Sequence, residues 1–223
     1  MAVVSSSPSS SSFLLIFFFL VWITLAQTPI PAKYDGFLYG GNNNYVWGDS
    51  VVLEAFLDPM CPDSRDTWPP LQQAFEYYSP RLTILVHPFP LPYHSNSFTF
   101  CRALQIANKL NSSTTFPLFE LFFKYQEKFY NAPTYNTSRA SIIEDLSNLA
   151  VAVIGKDSLP AFLSGFNDSQ TDIATIISFK YGCSRGVPGT PFFFLNGIPL
   201  PGYGSALDFQ TWRSIIDPLF VKK

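Results

Sequence analysis

Two short apolar segments, 51–57 and 82–89, stand out in the pattern of hydrophobic and polar positions along the chain. Both are rich in β-branched and large aliphatic residues, which is typical of strands buried on both faces of a sheet. The segment between them, 64–78, carries a predicted crossover helix. Because such a connection is right-handed and makes the two strands parallel, we expect both strands to end at the same edge of the sheet.

The middle of the chain, from Ser97 to Cys183, has a helical pattern throughout, with several helices led by Ser, Thr or Asp. We predict helices near 98–110, 115–130, 138–154 and 168–182, and we interpret this segment as an all-helical insertion. Its aromatic residues recur near helical spacing. They could line a peptide groove, but such a stripe is more often core, and the residues concerned are Phe116, Phe119, Phe122, Phe123, Phe129 and Tyr130.

A strand is predicted again at 191–195, where the three phenylalanines 192–194 read as sheet core. The pair Asn196-Gly197 is a strong signal for a two-residue hairpin, so 198–200 can return as an antiparallel partner. A helix over about 208–219 closes the chain, and a short strand is expected near 37–39. The fold class is therefore α/β, with helices on the faces of the sheet and a helical subdomain inserted between its halves.

The chain begins with a Ser-rich stretch and an apolar run over 13–26, and its first charged residue is Lys33. This pattern predicts a signal peptide over 1–26, cleaved after Ala26, because a membrane span needs about 20 apolar residues. An extended arm (27–50) and one domain (51–220, with the insertion at about 97–183) follow. The predicted location is the secretory pathway or the extracellular space, with no stable membrane span after cleavage. Three sequons predict glycosylation at Asn111, Asn136 and Asn167.

Charge is sparse: the net charge is −2, 13% of residues are charged, and there is no run of Lys or Arg. The electrostatic footprint of nucleic-acid binding or of an anionic membrane surface is therefore missing. We expect proteins or small molecules as partners. The sequence does not indicate an oligomeric state.

The candidate chemistry centres on Cys61, which follows the first predicted strand and opens a helix in the segment Cys61-Pro62-Asp63-Ser64. Pro62 suits an early helical position because it has no N–H to lose. The unpaired N–H groups and the positive end of the helix dipole favour a thiolate at such a position. Three nearby carboxylates oppose this effect and are only partly offset by Arg65; they belong to Asp58, Asp63 and Asp66.

This segment, together with Gly-Val-Pro-Gly-Thr-Pro-Phe-Phe-Phe-Leu-Asn-Gly at 186–197, resembles the thioredoxin superfamily, and specifically a secreted, plant-type monothiol relative in its DsbA-like branch. The resemblance spans about 50–220. It implies a thioredoxin-like fold with a central mixed sheet and a helical domain inserted where Ser97 to Cys183 lies. It also implies that Pro191 is a cis proline beside the sulfur and that the backbone of Thr190 pairs with an extended substrate peptide. A cis X-Pro bond at a strand start agrees with this, since it leaves a backbone edge free for a partner strand.

The departure from that branch is Ser64, which stands where a Cys-x-x-Cys pair would have its second sulfur. Without that sulfur no active-site disulfide can form, so a dithiol oxidase is not expected. Ser64 could still donate a hydrogen bond to a Cys61 thiolate. A single thiol of this kind can form mixed disulfides with proteins or with glutathione, or be oxidised to sulfenic acid.

The chain has three cysteines, an odd number for an oxidising compartment. We favour a structural Cys101–Cys183 disulfide that ties the two ends of the insertion and leaves Cys61 free. Alternatively, Cys101 could be a distant resolving partner for Cys61. A third reading makes Cys101 and Cys183 plain buried thiols.

His87 and His94 bracket a proline-rich turn after the second predicted strand, at the same sheet edge as Cys61. One of them could accept the proton of the sulfur, although hydrogen-bonded loop histidines are the more ordinary reading. Zinc ligation with Cys61 is not indicated, because no tight Cys/His spacing occurs. No metal or cofactor is predicted, and glutathione could serve as a co-substrate.

Three functions remain open at this point. The first is monothiol thiol–disulfide chemistry on protein or peptide thiols and disulfides, with Cys61 and Ser64 as catalytic residues and Thr190 and Pro191 binding the substrate. The second is a catalytically inactive binding module that holds an extended peptide or partner. The third is a thiol peroxidase or a glutathione-transferring enzyme, suggested only by the lone sulfur.

Overall fold

A computed structural model describes residues 34–40, 50–202 and 204–220. The predicted signal peptide (1–26) lies outside these residues, as does most of the predicted arm. The described strands form one mixed sheet in the order β1-β3-β2-β4-β5. Their bounds are Phe37–Leu38 (β1), Val51–Leu57 (β2), Leu82–Pro88 (β3), Phe192–Leu195 (β4) and Ile198–Pro199 (β5).

The predicted parallel pair is confirmed, since β2 and β3 run parallel from Val51↔Leu82 onwards. Strand β4 pairs antiparallel with the other edge of β2, and β1 pairs antiparallel with β3. The predicted hairpin is also present: Asn196 (φ 49°) and Gly197 (φ 81°) both have positive φ and connect β4 to β5. A two-residue hairpin turn that follows the twist of its strands requires positive φ at both central residues.

The helices of the described part are Pro62–Tyr78 (α1), Ser97–Leu110 (α2), Thr115–Tyr125 (α3), Arg139–Ile154 (α4), Leu159–Gly165 (α5), Ser169–Ser184 (α6) and Phe209–Ile216 (α7). Short 3-10 turns lie at Ser112–Thr114, Gln126–Phe129, Lys156–Ser158 and Asp217–Phe220. The helical insertion is thus confirmed. The sequence reading missed only α5, whose Pro160 lies in the first turn and whose last residue is Gly165. Both residue types usually mark loops.

The two faces of the sheet bury different sets of side chains. On one face Leu53, Ala55 and Leu57 join a large core with α1, α7 and the insertion. That core includes four members of the predicted aromatic stripe, so their assignment as core is confirmed: Phe119, Phe122, Phe123 and Phe129. On the other face Phe56 joins a smaller cluster that also holds Cys61 and is flanked by residues of α6.

A cluster of charged and phenolic groups around the buried Glu54 ties residues 34–35 to the sheet. Glu54 of β2 accepts hydrogen bonds from the Tyr34 and Tyr181 hydroxyls, both at 2.9 Å, and from both terminal nitrogens of Arg185, at 3.2 Å. Burial alone would raise the pKa of Glu54, but these donors and His87 lower it to about 2. Glu54 is therefore a buried carboxylate whose charge is compensated on several sides.

His87 of β3 extends this cluster. Its Nδ1 lies 2.8 Å from Oδ2 of Asp35, which also accepts from the Ser178 hydroxyl at 2.9 Å, and its Nε2 lies 3.4 Å from Oε2 of Glu54. The imidazole stacks on Phe56 with ring centroids 4.5 Å apart. Burial would lower the pKa of His87, yet its two carboxylate partners raise it above the ordinary value. The imidazole is thus held between two carboxylates inside the fold.

The three sequon asparagines, Asn111, Asn136 and Asn167, are exposed in the structure. Glycosylation there stays a prediction. No helix in the described part of the chain is long and apolar enough to cross a membrane.

Candidate thiol site

Cys61 lies between the end of β2 and the start of α1, as predicted. It is the residue that caps α1, and Pro62 is the first residue of that helix. The Cys61 N–H donates to the Asp58 carbonyl at 3.0 Å, and its own carbonyl accepts from the Arg65 N–H at 3.1 Å. Only 4% of the residue is exposed. The sulfur is therefore placed by backbone hydrogen bonds on both sides of it.

The Thr190–Pro191 segment reaches the sulfur from the other half of the chain. The bond between Thr190 and Pro191 is cis, and the Cys61 thiol donates a hydrogen bond to the Thr190 carbonyl, with Sγ and O 3.5 Å apart. The predicted meeting of these two distant segments is confirmed. Thr190 is itself buried, and its hydroxyl has no hydrogen-bond partner among the described residues.

Ser64 and Asp63 lie in the first turn of α1 but play different parts. Ser64 is fully buried, and its hydroxyl accepts a hydrogen bond from the Asp58 N–H at 3.2 Å. The Cys61 thiol donates to Thr190 instead, so the structure shows Ser64 supporting the turn before the cysteine. Asp63 is exposed to solvent.

Asp58 is the anchor of this turn, a role that the sequence reading did not give it. Its carboxylate is fully buried and accepts from the Met60 N–H at 2.8 Å and the Leu91 N–H at 3.2 Å. It also accepts from the Ser97 hydroxyl and contacts Nδ1 of His94 at 2.8 Å. Asp58 therefore joins the end of β2, the loop after β3 and the start of α2 at one point beside Cys61.

The two histidines that the sequence singled out are separated by the fold. His87 belongs to the buried Glu54 cluster, whereas His94 pairs with Asp58 and keeps 22% of its side chain exposed. His94 also lines a cavity of about 280 Å³ next to the cysteine turn. Of the two, only His94 is placed where a molecule at the thiol site could meet it.

Gln126 and Tyr130 of the insertion complete the surroundings of Cys61, and sequence reasoning missed their role. The Gln126 amide donates to the carbonyls of Pro59, at 2.9 Å, and Cys61, at 3.4 Å. The Tyr130 hydroxyl donates to the same amide at 2.6 Å. Burial raises the pKa of Tyr130, and Cys61 is one of the nearby groups that add to this shift. No sequence pattern marks Gln126, which lies 65 positions from the cysteine.

The predicted Cys101–Cys183 disulfide is not formed, since all three cysteines are free thiols. Cys101 is fully buried in α2, whereas Cys183 near the end of α6 is exposed, so the two sulfurs lie in different surroundings. Burial, with a smaller effect of Asp58, raises the pKa of Cys101 well above its usual range. A thiol held in this form is a poor nucleophile, which also disfavours Cys101 as a resolving partner for Cys61.

The charges around the start of α1 are mostly negative. Arg65 is held by Asp66 and Glu127, each 2.9 Å from the guanidinium, and Asp63 is exposed at the surface nearby. Among the described residues there is no group of three or more His, Cys, Asp or Glu side chains arranged to hold a metal ion. The chemistry that this site offers is that of a single thiol.

No protein-family model matches the sequence, and no curated protein matches it either. Solved structures do match. A candidate protein-disulfide isomerase from Pseudomonas syringae superposes with a TM-score of 0.64 at 20% identity, over 76% of this chain and 96% of that one. The thiol-disulfide exchange protein alpha-DsbA2 from Wolbachia pipientis gives 0.61 at 17% identity, over 96% of this chain and 100% of that one.

A periplasmic thioredoxin-like protein from Salmonella enterica serovar Typhimurium gives a TM-score of 0.57 at 17% identity, over 82% of this chain and 88% of that one. Together these likenesses show that the chain has a thioredoxin-like fold with a DsbA-like helical insertion. The predicted resemblance is thus confirmed at the level of the fold.

Proposed function

We propose that this protein carries out monothiol thiol–disulfide exchange on protein or peptide substrates through Cys61. The observation that carries the proposal is the contact of the Cys61 sulfur with the Thr190 carbonyl beside the cis peptide bond to Pro191. The sulfur at a helix start and the bent backbone segment form a pair suited to holding a disulfide-bearing chain. The structural neighbours described as disulfide isomerase and thiol-disulfide exchange protein support the same chemistry.

In the proposed reaction the Cys61 thiol loses its proton to solvent, and the thiolate attacks one sulfur of a substrate disulfide. A new bond forms between Cys61 and that sulfur while the substrate disulfide breaks, and the leaving thiolate departs with the electron pair and takes up a proton. Since Ser64 cannot resolve the mixed disulfide, a second thiol from the substrate or from solution must release Cys61 by the reverse step. Glutathione is one molecule that could supply this thiol.

The substrate would dock as an extended strand against the Thr190–Pro191 segment. The Thr190 hydroxyl, buried and unpartnered within the described structure, offers one polar group for such a chain. We further propose that the reaction takes place in the secretory pathway or outside the cell. This is supported by the apolar run at 13–26, the exposed sequons and the likeness to a periplasmic protein.

A second candidate function is a binding module that holds a peptide without turnover. One observation favours it: Cys61 is only 4% exposed and its thiol is already engaged with Thr190. In that case the Thr190–Pro191 segment would bind a partner chain, and the Cys61 sulfur would have only a structural role beneath the binding surface.

The test measures mixed-disulfide formation by intact mass. The mature protein, as the Cys183→Ser variant to remove the exposed thiol, is incubated with a peptide carrying a 2-pyridyl disulfide on its cysteine. We expect the mass to rise by one peptide, at a rate above that of a free model thiol, and Cys61→Ser in the same background to remain unmodified. Circular dichroism checks that both variants are folded.

A reaction at Cys61 no faster than that of the model thiol would contradict the exchange chemistry. If Cys61→Ser also bound an unreactive form of the peptide as tightly as the parent, the binding module would be supported instead. The wild-type protein, which keeps Cys183, serves as a control because it should gain a second, slower adduct at that exposed thiol.

A further inference from the structure

A cavity of about 280 Å³ opens beside the cysteine turn, between this turn and the helical insertion. Two of its walls are Met60 and Pro62, the residues on either side of Cys61. The insertion supplies a second side at 129–132, and the loop after β3 supplies His94 and Asn96. The full lining consists of Met60, Pro62, His94, Asn96, Phe129, Tyr130, Asn131 and Ala132. The cavity therefore lies next to Cys61, in addition to the contact that its sulfur makes with Thr190.

The lining contains apolar and aromatic side chains together with two amides and one imidazole, and no Lys, Arg, Asp or Glu. The charged side chains in the first turn of α1 also affect which ligand can bind. Arg65 is neutralised by Asp66 and Glu127, while Asp63 is exposed, so the surroundings of the sulfur carry excess negative charge. A ligand with carboxylates would find no Lys or Arg in this lining to neutralise it, and the acidic groups near the sulfur would disfavour its binding.

The volume of the cavity further limits which kind of group can bind in it. Sites for whole small molecules usually measure about 300–1,000 Å³, so this one is at the lower limit and suits a single bulky side chain. Aromatic rings gain the most from such a site, because they bury a large apolar area and can pack against Phe129 and Tyr130.

We propose that this cavity is a specificity pocket for an uncharged aromatic side chain of the polypeptide substrate, next to the cysteine that reacts with Cys61. The inference rests on the proposed function and sharpens it, since it selects peptides over glutathione, which carries two carboxylates. The docked side chain positions the substrate sulfur for attack, so binding in the pocket raises the rate of mixed-disulfide formation.

The experiment compares three probes that share one leaving group, each a 2-pyridyl disulfide: a Trp-Cys peptide, an Ala-Cys peptide with the same flanks, and glutathione. In each case the Cys61 thiol loses its proton and its sulfur attacks the cysteine sulfur of the probe. The S–S bond to the pyridine breaks, and pyridine-2-thione leaves with the electron pair and takes up a proton at its ring nitrogen. Absorbance of the released thione gives the rate. All measurements use the Cys183→Ser background.

We expect the Trp probe to react about tenfold or more faster than the Ala probe, which is the usual discrimination of an apolar pocket for a large side chain, and glutathione to be slowest. Ala132→Trp should fill the pocket, since Ala132 is exposed and lines it. That variant should lose most of the preference for Trp, measured as the ratio of the rates of the Trp and Ala probes. Ala140→Trp is the matched control, because Ala140 is also an exposed alanine but lies on α4 outside the lining, and it should keep the preference.

The outcomes separate this inference from the function on which it rests. No reaction of Cys61 with any probe would overturn both. Equal rates for the three probes, or a Trp preference that survives Ala132→Trp, would leave thiol exchange standing and overturn the pocket. A glutathione probe that reacts fastest would also overturn it.

Discussion

Two histidine–carboxylate pairs of the described structure differ mainly in what surrounds them. His87 contacts Asp35 and His94 contacts Asp58, each at 2.8 Å between Nδ1 and a carboxylate oxygen. The His87 side chain is completely buried, whereas 22% of the His94 side chain is exposed. The same chemical pair is thus closed in one place and open to a cavity in the other.

The difference shows how one motif serves two purposes. The closed pair adds Glu54 as a second carboxylate and ties residues 34–35 to the sheet, so its charges compensate one another inside the fold. The open pair has a single carboxylate, fixed by several donors, and leaves one edge of the imidazole beside the thiol site. We expect changes to the closed pair to affect stability, and changes to the open pair to affect chemistry as well.

The largest effect is expected from Glu54→Gln. It removes the charge that faces His87 and Arg185, and leaving such partners buried without a counter-charge costs about 3–5 kcal/mol. Urea unfolding at neutral pH measures the loss. The rate at which the folded variant forms mixed disulfides should stay within about twofold of the parent, because Glu54 lies outside the thiol site.

The matched control is Glu76→Gln, which changes an exposed glutamate of α1 by the same atoms. Its cost should stay below about 0.5 kcal/mol. If Glu54→Gln lowered the free energy of unfolding no more than this control, the closed pair and Glu54 would not anchor the fold.

Asp58→Asn should lower stability somewhat less than Glu54→Gln, but it should also lower the rate of mixed-disulfide formation. The asparagine amide keeps one acceptor oxygen, but its NH₂ group faces donors that the second carboxylate oxygen accepted from. These buried donors are left unpaired, which costs about 2–3 kcal/mol. Because Asp58 holds the turn before Cys61, we expect mixed-disulfide formation to slow by about tenfold. The probe assay and urea unfolding are run on the same preparation.

Asp66→Asn provides the control for charge alone, since Asp66 is exposed and lies near the cysteine without bonding to its turn. A similar slowing in Asp66→Asn would show that Asp58 acts by its charge and not by holding the turn. Asp58→Asn with a normal rate would remove the distinction between the two pairs.

The sequence predicted the secondary structure and the placing of the sulfur better than it predicted what holds the sulfur there. Strand β2 was found at its observed bounds, because a run of buried aliphatic residues is a local signal. The meeting of Cys61 with Thr190 followed from the family resemblance. Asp58, however, looked in the sequence like one of several charges opposing a thiolate.

The reason is that its partners are remote. The Asp58 carboxylate meets His94 and Ser97, 36 and 39 positions away, and only the folded chain shows that these donors converge. The expected Cys101–Cys183 disulfide was wrong for a related reason. An odd cysteine count indicates nothing about which side of each helix faces the core, and packing buries Cys101 while leaving Cys183 exposed.

The closed pair and its second carboxylate, Glu54, also predict how stability depends on pH. The lowered pKa of Glu54 means that its contribution is complete above the ordinary value of 4.5 and is lost as the pH falls toward about 2. The raised pKa of His87 means the opposite: its contribution is present below 6.5 and is lost as the pH rises through the raised value. The cluster should therefore stabilise the fold most between these two ordinary values.

Thermal unfolding measured from pH 4.5 down to 3 should show a loss on the order of 2 kcal/mol from Glu54, since each unit between the two pKa values is worth about 1.4 kcal/mol. Other carboxylates contribute to the same limb, so the quantity to compare is the difference between the parent and Glu54→Gln. That difference should shrink as the pH falls. Parallel curves for the two proteins would contradict the lowered pKa of Glu54.

The smallest effect on stability is expected from His94→Gln. The glutamine amide can still donate to the Asp58 carboxylate, and part of the side chain is in solvent, so the cost should be below about 1 kcal/mol. His94→Ala removes one of the two partners of Asp58 Oδ2 and leaves only the Leu91 N–H, so it should cost more than His94→Gln. The aromatic-probe rate should fall in both variants, because the imidazole lines the cavity beside Cys61. If His94→Gln instead unfolded as readily as Glu54→Gln and left the probe rate unchanged, His94 would be a second structural anchor, and the two pairs would be alike in role as well as in chemistry.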